Sequence, residues 1–408
     1  MRAIDVVVVG GGPSGAATAA LLARRGVDVL LLDRARFPRA KPCGEFLSPA
    51  ATPLLETLGV RDAIERAGAR RLDRVRIVAH GEPVELAFPD LGGGPRWGFS
   101  LSRERLDAIL LDAARAAGAE VLEQVLVERP RLDAGRVRGV AARRRGERQE
   151  IEARIVVGAA GRNDPIARGL GLQCRAERRR FDLLAHWSGG AAGRDPSSRE
   201  PAPVCELRIS GDRYVAAAPV EGDRVNVNGV VPQEALRRAP DAEALYDALL
   251  GGDPALDSWT ARRTREPVSA SDVTPLHTRA ATADGAVLVG DAALFLDPFT
   301  GQGLYLALRS GELAASAIAG ALERGRTDRA ALAPYEAARA AEMDAKRNVS
   351  RALQQILFRP RLARRAASAL RSDGDLASVL AAVTGDLAPA ERAWSIPYGF
   401  RLARRMIA

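Results

Sequence analysis

The chain has 408 residues, with 60 basic and 51 acidic side chains, a net charge of +9 and an isoelectric point near 10.2. Its length exceeds one comfortable hydrophobic core and predicts two interleaved domains with a helical tail. The arginines are scattered along the chain instead of gathered with aromatics, which argues against a nucleic-acid partner, and no apolar run is long enough to cross a bilayer. The cysteines are Cys43, Cys174 and Cys205, with no CxxC spacing. They cannot build a disulfide framework, a four-cysteine zinc site or an iron-sulfur cluster, and no metal site is expected. Met1 runs almost directly into "IDVVVVG", with no room for a secretory leader, so a cytoplasmic location is expected.

The opening "IDVVVVGGGPSGAATAALLARRGVDVLLLD" predicts a buried parallel strand over Ile4–Val9, a glycine turn, a helix over Pro13–Arg25 and a second strand over Val27–Leu32. Gly10, Gly12 and Gly15 hold the GxGxxG positions: the first permits the tight turn, the second the approach of a pyrophosphate, the third close helix–strand packing. The helix opening at Pro13 and Ser14 offers free N–H groups to phosphate oxygens. Asp33 ends the second strand, placed to accept from a ribose hydroxyl. This fingerprint marks a dinucleotide site without separating NAD from FAD.

Arg34 follows, and then "RFPRAKPCGEFLSP", which carries Arg36, Arg39 and Lys41, one of two lysines in the chain. These cations can reach a pyrophosphate or an acidic group, with Pro38 and Pro42 stiffening the path. Ser48 is expected to cap a helix that Pro49 opens. "RVRIVAHGEPVELAF" reads as a hairpin, and "SLSRERLDAILL" as a strand followed by a helix that starts near Arg103. Residues 136–157 read as a β-meander that returns to the first sheet through Ile155–Val157. "CELRISGDRYVAAAPVEGDRVNVNGVVP" gives two or three strands with Gly-Asp turns. From this sheet His186, Arg208, Tyr214, Asn226 and Asn228 are polar candidates for a substrate site.

Near residue 290, "GAVLVGDAALFLDPFTGQGLYLALRSGELAA" predicts a buried strand over Ala286–Val289, a loop carrying Gly290-Asp291 and Asp297-Pro298, and a helix that begins at Gly301–Gly303. Asp291 then stands at the carboxyl end of a sheet strand, where α/β folds bind ligands. From Asp328 onward the composition is helical. "RPRLARRAASALR" and "YGFRLARRMIA" read as helices packed on their own domain with arginines in water, and contact with the inner surface of a membrane is the alternative.

The loop at Gly290-Asp291 resembles the GD motif of flavoprotein hydroxylases and geranylgeranyl reductases, whose Asp holds the ribityl chain of FAD. "VVGAAGRNDPIARGLGL" is similar to their DG motif, with Gly158, Gly161 and Arg168 in place, Ala160 where the Asp usually stands and Asp164 where the Ser stands. The R-x-x-L-D at Arg103 is a further match. The ordered set resembles the superfamily of single-component flavin monooxygenases, geranylgeranyl reductases and flavin-dependent halogenases; "KPCGEFLSP" and "VTGD" resemble bacterial members that tailor polyketides and lipid quinones. The resemblance implies an α/β fold: a Rossmann-like FAD domain from 1–75, 100–172 and 276–325, a mostly antiparallel substrate sheet from 76–99 and 173–275, and a helical region over 326–408.

The resemblance further implies a cofactor cradle of Gly10, Gly12, Pro13, Ser14, Gly15, Asp33, Arg34, Arg39, Lys41, Cys43, Gly44, Arg103, Gly161, Gly290, Asp291, Pro298, Gly301 and Gly303. Without a second GxGxxG after a strand, NAD(P)H is expected only as a transient reductant of the flavin. The leading expectation is an O2-dependent hydroxylase, acting through a C4a-hydroperoxyflavin on an aromatic or quinol-type substrate. The alternative is a reductase saturating a prenyl or polyketide C=C bond, with Cys43 or Tyr214 as proton donor and His186 as a third catalytic candidate. Halogenation and pure electron transfer rank lower: W-x-W-x-I-P is absent, and the cysteines are too few for a partner cluster.

Overall fold

The computed structural model describes residues 4–92, 97–176, 179–189, 204–251 and 253–407. Part of the expected substrate sheet, residues 190–203, lies outside them. The "VVVV" of the first strand, Ile4–Val9, is apolar on both faces and buried on both, as a central parallel strand requires. It pairs in parallel with Val29–Leu32 on one side and Glu147–Gly158 on the other; Glu120–Leu122 and Ala286–Leu288 extend the same parallel sheet. The long strand Glu147–Gly158 leaves this sheet at its start to pair antiparallel with Arg136–Arg144, which in turn pairs with Val125–Asp133. This is the expected meander.

Two helices lock the glycine turn. The first, Pro13–Ala23, packs on the 21-residue helix Gly303–Glu323. A Cβ on Gly311 would come within 2.7 Å of Ser14 O, and one on Gly15 within 1.9 Å of Gly10 O, so both contacts demand glycine. Gly290 (φ +56°) sits against Ser14, and its N–H donates to Ser310 Oγ at 2.8 Å. The GxGxxG turn and the Gly290 loop, 280 residues apart in sequence, are thereby one packed unit.

The second large sheet runs in the order Thr264–Arg265, Arg180–Ser188, Val225–Pro232, Arg213–Pro219, Cys205–Ser210, Arg74–Ala79, Glu82–Ala87, with Ser269–Asp272 also on Arg180–Ser188. Every pairing is antiparallel except Cys205–Ser210 with Arg74–Ala79. Strand alternation sorts its side chains. Leu183, Ala185, Val215, Ala217, Val225 and Val227 face the helices Ala242–Leu250 and Pro254–Thr260. Asp182, His186, Asn226 and Asn228 have the opposite parity and face the first domain.

The tail forms the helices Arg329–Leu357, Pro360–Ser372, Gly374–Thr384 and Ile396–Ile407. Asp328 caps the first, accepting from Ala331 N at 3.0 Å. Its buried residues Leu332, Tyr335, Arg339, Met343, Lys346 and Ser350 recur at helical spacing, and Tyr335 Oη donates to Leu288 O at 2.7 Å. Among the described residues no helix is long and apolar enough to cross a membrane.

Candidate active site

Four loops at the carboxyl ends of the parallel strands converge on one cavity of about 150 Å³, lined by Gly12–Ser14, Lys41–Phe46, Ala159–Arg162 and Gly290–Thr300. A Cβ on Gly12 would have only Arg39 Nη2 and Arg103 Nη2 within reach, at 3.9 and 4.0 Å. One on Gly161 would face only Lys41 Nζ, at 3.4 Å. Bare backbone opposed by three cations is the donor set that a pyrophosphate needs.

Asp107 organises these cations. It is fully buried and accepts from Arg103 Nε and Nη2 at 2.7 and 2.8 Å, while Arg39 Nη1 lies 3.1 Å away. Arg39 is thereby held beside Arg103, with its Nη2 turned towards Gly12. Burial works against the charge on Arg103, but Asp107 outweighs it and keeps the guanidinium firmly protonated. Lys41 is pulled below its usual range by burial and by Arg103, against the attraction of Asp291. Asp33 holds the turn: Oδ2 accepts from Gly11 N and Oδ1 from Ala35 N, each at 2.7 Å. Beyond Pro298, Gly301 turns at φ +69° and the helix Gly303–Glu323 begins with its first turn at the cavity. This N-terminal helix end suits an electron-rich ring edge. Together these features fit FAD.

The segment Cys43-Gly44-Glu45 forms the wall between the two domains. Glu45 is 2% exposed and adopts φ +56°, a left-handed conformation that non-glycine residues avoid. Its carboxylate holds the segment in place, accepting from Arg103 N (2.8 Å), Asn226 Nδ2 (2.9 Å) and His186 Nε2 (2.8 Å). Asn226 Nδ2 also donates to Cys43 O at 2.7 Å. The Cys43 thiol lines the cavity; burial pushes its pKa up while Arg103 pulls it down.

Of the sequence candidates, Gly12, Pro13, Ser14, Lys41, Cys43, Gly44, Arg103, Gly161, Gly290, Asp291, Pro298, Gly301 and Gly303 line this cavity. Gly10, Gly15 and Asp33 support it from behind, and Arg39 faces Gly12. Arg34 and Arg36 are exposed at the surface, outside this lining. His186 reaches the cavity only through Glu45. Tyr214 is 2% exposed and stands behind the wall, its hydroxyl donating to Asp297 Oδ1 at 2.7 Å; burial and Asp297 hold its proton on. It is thus poorly placed as a donor to substrate. Arg208 has the outward parity of its strand and pairs with Asp253 and Glu206. Ser48 caps no helix: the helix starts at Ala51, and Ser48 Oγ donates to the buried Asp386 instead. At the altered DG motif, Asp164 accepts from Ala160 N, Ile166 N and Ala167 N, each at 2.9 Å, capping Pro165–Gly169.

Glu45, Asp107, Arg162 and Asp182 are site residues that sequence reasoning left unassigned. The partners of Glu45 lie 58, 141 and 181 residues away, so no local pattern announces it. Asp107 was visible as the last residue of R-x-x-L-D.

A second, almost wholly apolar cavity of about 260 Å³ meets the first at Phe46 and Thr300. Val75, Ile77, Leu86 and Leu207 of the second sheet form one wall, and Val349, Leu353, Ala367, Leu380, Trp394 and Leu402 of the tail helices the other.

The FAD binding domain family model matches residues 3–351. A tryptophan 2-halogenase from Chondromyces crocatus is 30% identical over 77% of this chain, which spans only 60% of that relative's length. Digeranylgeranylglycerophospholipid reductase 1 of Methanothermobacter thermautotrophicus is 30% identical, over 82% of this chain and 81% of its own. A menaquinone reductase of Mycobacterium tuberculosis is 31% identical, over 76% and 75%. A flavin-dependent brominase of known structure superposes with a TM-score of 0.83 at 20% identity, covering 100% of this chain and 99% of its own, a likeness of fold. With its cradle, its family match and these relatives, the chain belongs to the FAD binding domain family and is an FAD-dependent oxidoreductase.

Proposed function

We propose that the protein reduces a carbon–carbon double bond in a prenyl-bearing substrate. The observation that carries this reading is the apolar cavity of about 260 Å³ that shares the lining residues Phe46 and Thr300 with the cofactor cavity, a lining suited to a hydrocarbon chain. The reductase relatives, which this chain matches over three quarters or more of their length, support it.

FAD, when bound and reduced, supplies two electrons and one hydrogen to one carbon of the double bond. The other carbon needs a proton, and Cys43 is the candidate donor: its thiol lines the cavity and burial keeps it protonated. Arg103 beside it then stabilises the thiolate until solvent returns the proton. Arg39, Lys41 and Arg103 would hold the cofactor's pyrophosphate, and Asp291 its ribityl hydroxyls. Glu45, Asn226 and His186 fix the Cys43 loop, and the apolar lining excludes water.

The test is anaerobic incubation of dithionite-reduced holoprotein with a polyprenylated naphthoquinone, read by mass spectrometry. After reoxidation in air returns any naphthoquinol to the quinone, the expected product still carries two extra hydrogen atoms in its prenyl chain, and Cys43→Ser retains FAD but loses most of that product. Full activity in Cys43→Ser removes the thiol from the mechanism. An unchanged substrate under these conditions removes the reductase reading.

A further inference from the structure

The strand Arg180–Ser188 carries a polar group that none of the sequence motifs explains. Asp182 is 4% exposed, lines the cofactor cavity beside Asn228 and Val230, and its Oδ1 has no hydrogen-bond partner among the described residues. Arg162 lines the same cavity, and its buried Nη1 is also unpartnered. The rest of that guanidinium is anchored, 4.8 Å over the Phe295 ring and 3.5 Å from Ser271 Oγ. Folded proteins pair nearly all their buried polar atoms, so an acceptor and a donor left open on one cavity wall mark a place for a ligand's polar group.

The surrounding charges restrict what that group is. Nearby, Asp297 takes the Tyr214 hydroxyl at 2.7 Å and lies 3.5 Å from Arg180 Nε. Asp182 and Asp297 thus share this end of the cavity with Arg162 and Arg180. A phosphate would bring surplus negative charge against two buried carboxylates, whereas a carbonyl or hydroxyl adds none. From this geometry we propose that Asp182 and Arg162 form a headgroup subsite for a neutral oxygen function, the ring carbonyl of a quinone or the hydroxyl of its quinol. Arg162 Nη1 donates to that oxygen. Asp182 accepts from a hydroxyl or, when protonated, donates to a carbonyl. Burial pushes the Asp182 pKa up to about 7, with Arg162 opposing and Asp297 adding to the rise, so both forms are populated near neutrality.

This subsite rests on the prenyl-substrate reading only for the chain that its headgroup carries. The test therefore measures binding without turnover: calorimetric titration of oxidised, FAD-loaded protein with menadione, a naphthoquinone lacking the prenyl chain, and with geranylgeranyl monophosphate. Loss of one hydrogen bond to a charged group predicts that Asp182→Ala and Arg162→Gln each weaken menadione binding at least ~10-fold at unchanged FAD content. Geranylgeranyl monophosphate should bind with equal affinity to the parent and both variants. Unaltered menadione affinity in the variants overturns the proposal. So does loss of FAD in both, which would place these residues in the cofactor cradle, or a phosphate probe that depends on them as menadione does. Menadione binding that depends on Asp182, without double-bond reduction, would leave the subsite standing and remove the function proposed above.

Discussion

Replacing Glu45 by alanine tests how the Cys43 loop is held. The substitution removes the acceptor of the Arg103 amide and of His186 Nε2, while Asn226 Nδ2 keeps its second partner, Cys43 O. Two buried hydrogen bonds to a charged group are worth roughly 1.5–3 kcal/mol each, so Glu45→Ala should cost roughly 3–6 kcal/mol. Glu45→Gly loses the same bonds but relieves the left-handed backbone at φ +56°, a conformation that costs an L-residue about 1–2 kcal/mol. The glycine variant should therefore be more stable than the alanine variant by about 1 kcal/mol, the reverse of the order at an ordinary backbone position. Equilibrium urea unfolding of FAD-saturated protein measures both differences. An alanine variant within 1 kcal/mol of the parent would refute the assigned role of the carboxylate, and a glycine variant weaker than the alanine one would refute the strain argument.

Ala367 is 3% exposed and lines the apolar cavity; Ala367→Phe should shorten it. Displacing four methylenes of a bound chain at about 0.8 kcal/mol each predicts roughly 200-fold weaker binding of long prenyl chains and little change for short ones, read by competition titration. Lys346 and Asp386 form a buried pair that ties the tail to Ser48 and Gln302, so Lys346→Met should destabilise the fold by about 3–5 kcal/mol, with partial recovery in Lys346→Met/Asp386→Asn. Because burial raises Asp182 to about 7, the folded chain binds its proton more tightly than the unfolded chain, and this stabilisation is fully present below about pH 4 and lost as pH rises through 7. Asp182→Asn should therefore gain stability relative to the parent by roughly 3–4 kcal/mol between pH 4 and pH 8; a difference independent of pH would contradict the shift.

The parts of the fold that were legible in the sequence are those governed by local rules. Four consecutive valines can only be a strand buried on both faces, and glycines at fixed spacing announced the turn behind Gly12 and the loop at Gly290. Strand parity, by contrast, decides which polar residues of the second sheet see the cavity, and it depends on register. Arg208 looked as eligible as Asn226 and Asn228 until the pairings turned it outward to Asp253, whereas Tyr214 shares their face and has its hydroxyl committed to Asp297. Ser48 had every local mark of a helix cap, and a partner 338 residues away took its hydroxyl. The apolar cavity was invisible because its walls combine residues 75–88 and Leu207 with residues 349–402, which no periodicity connects.

The most direct test of the central claim is the mass of the product formed from a polyprenylated naphthoquinone, first without oxygen and then with it. A gain of two hydrogen atoms in the prenyl chain, formed anaerobically and retained after the quinol is reoxidised in air, is the expected result. A product formed only with oxygen and heavier by one oxygen atom would contradict it.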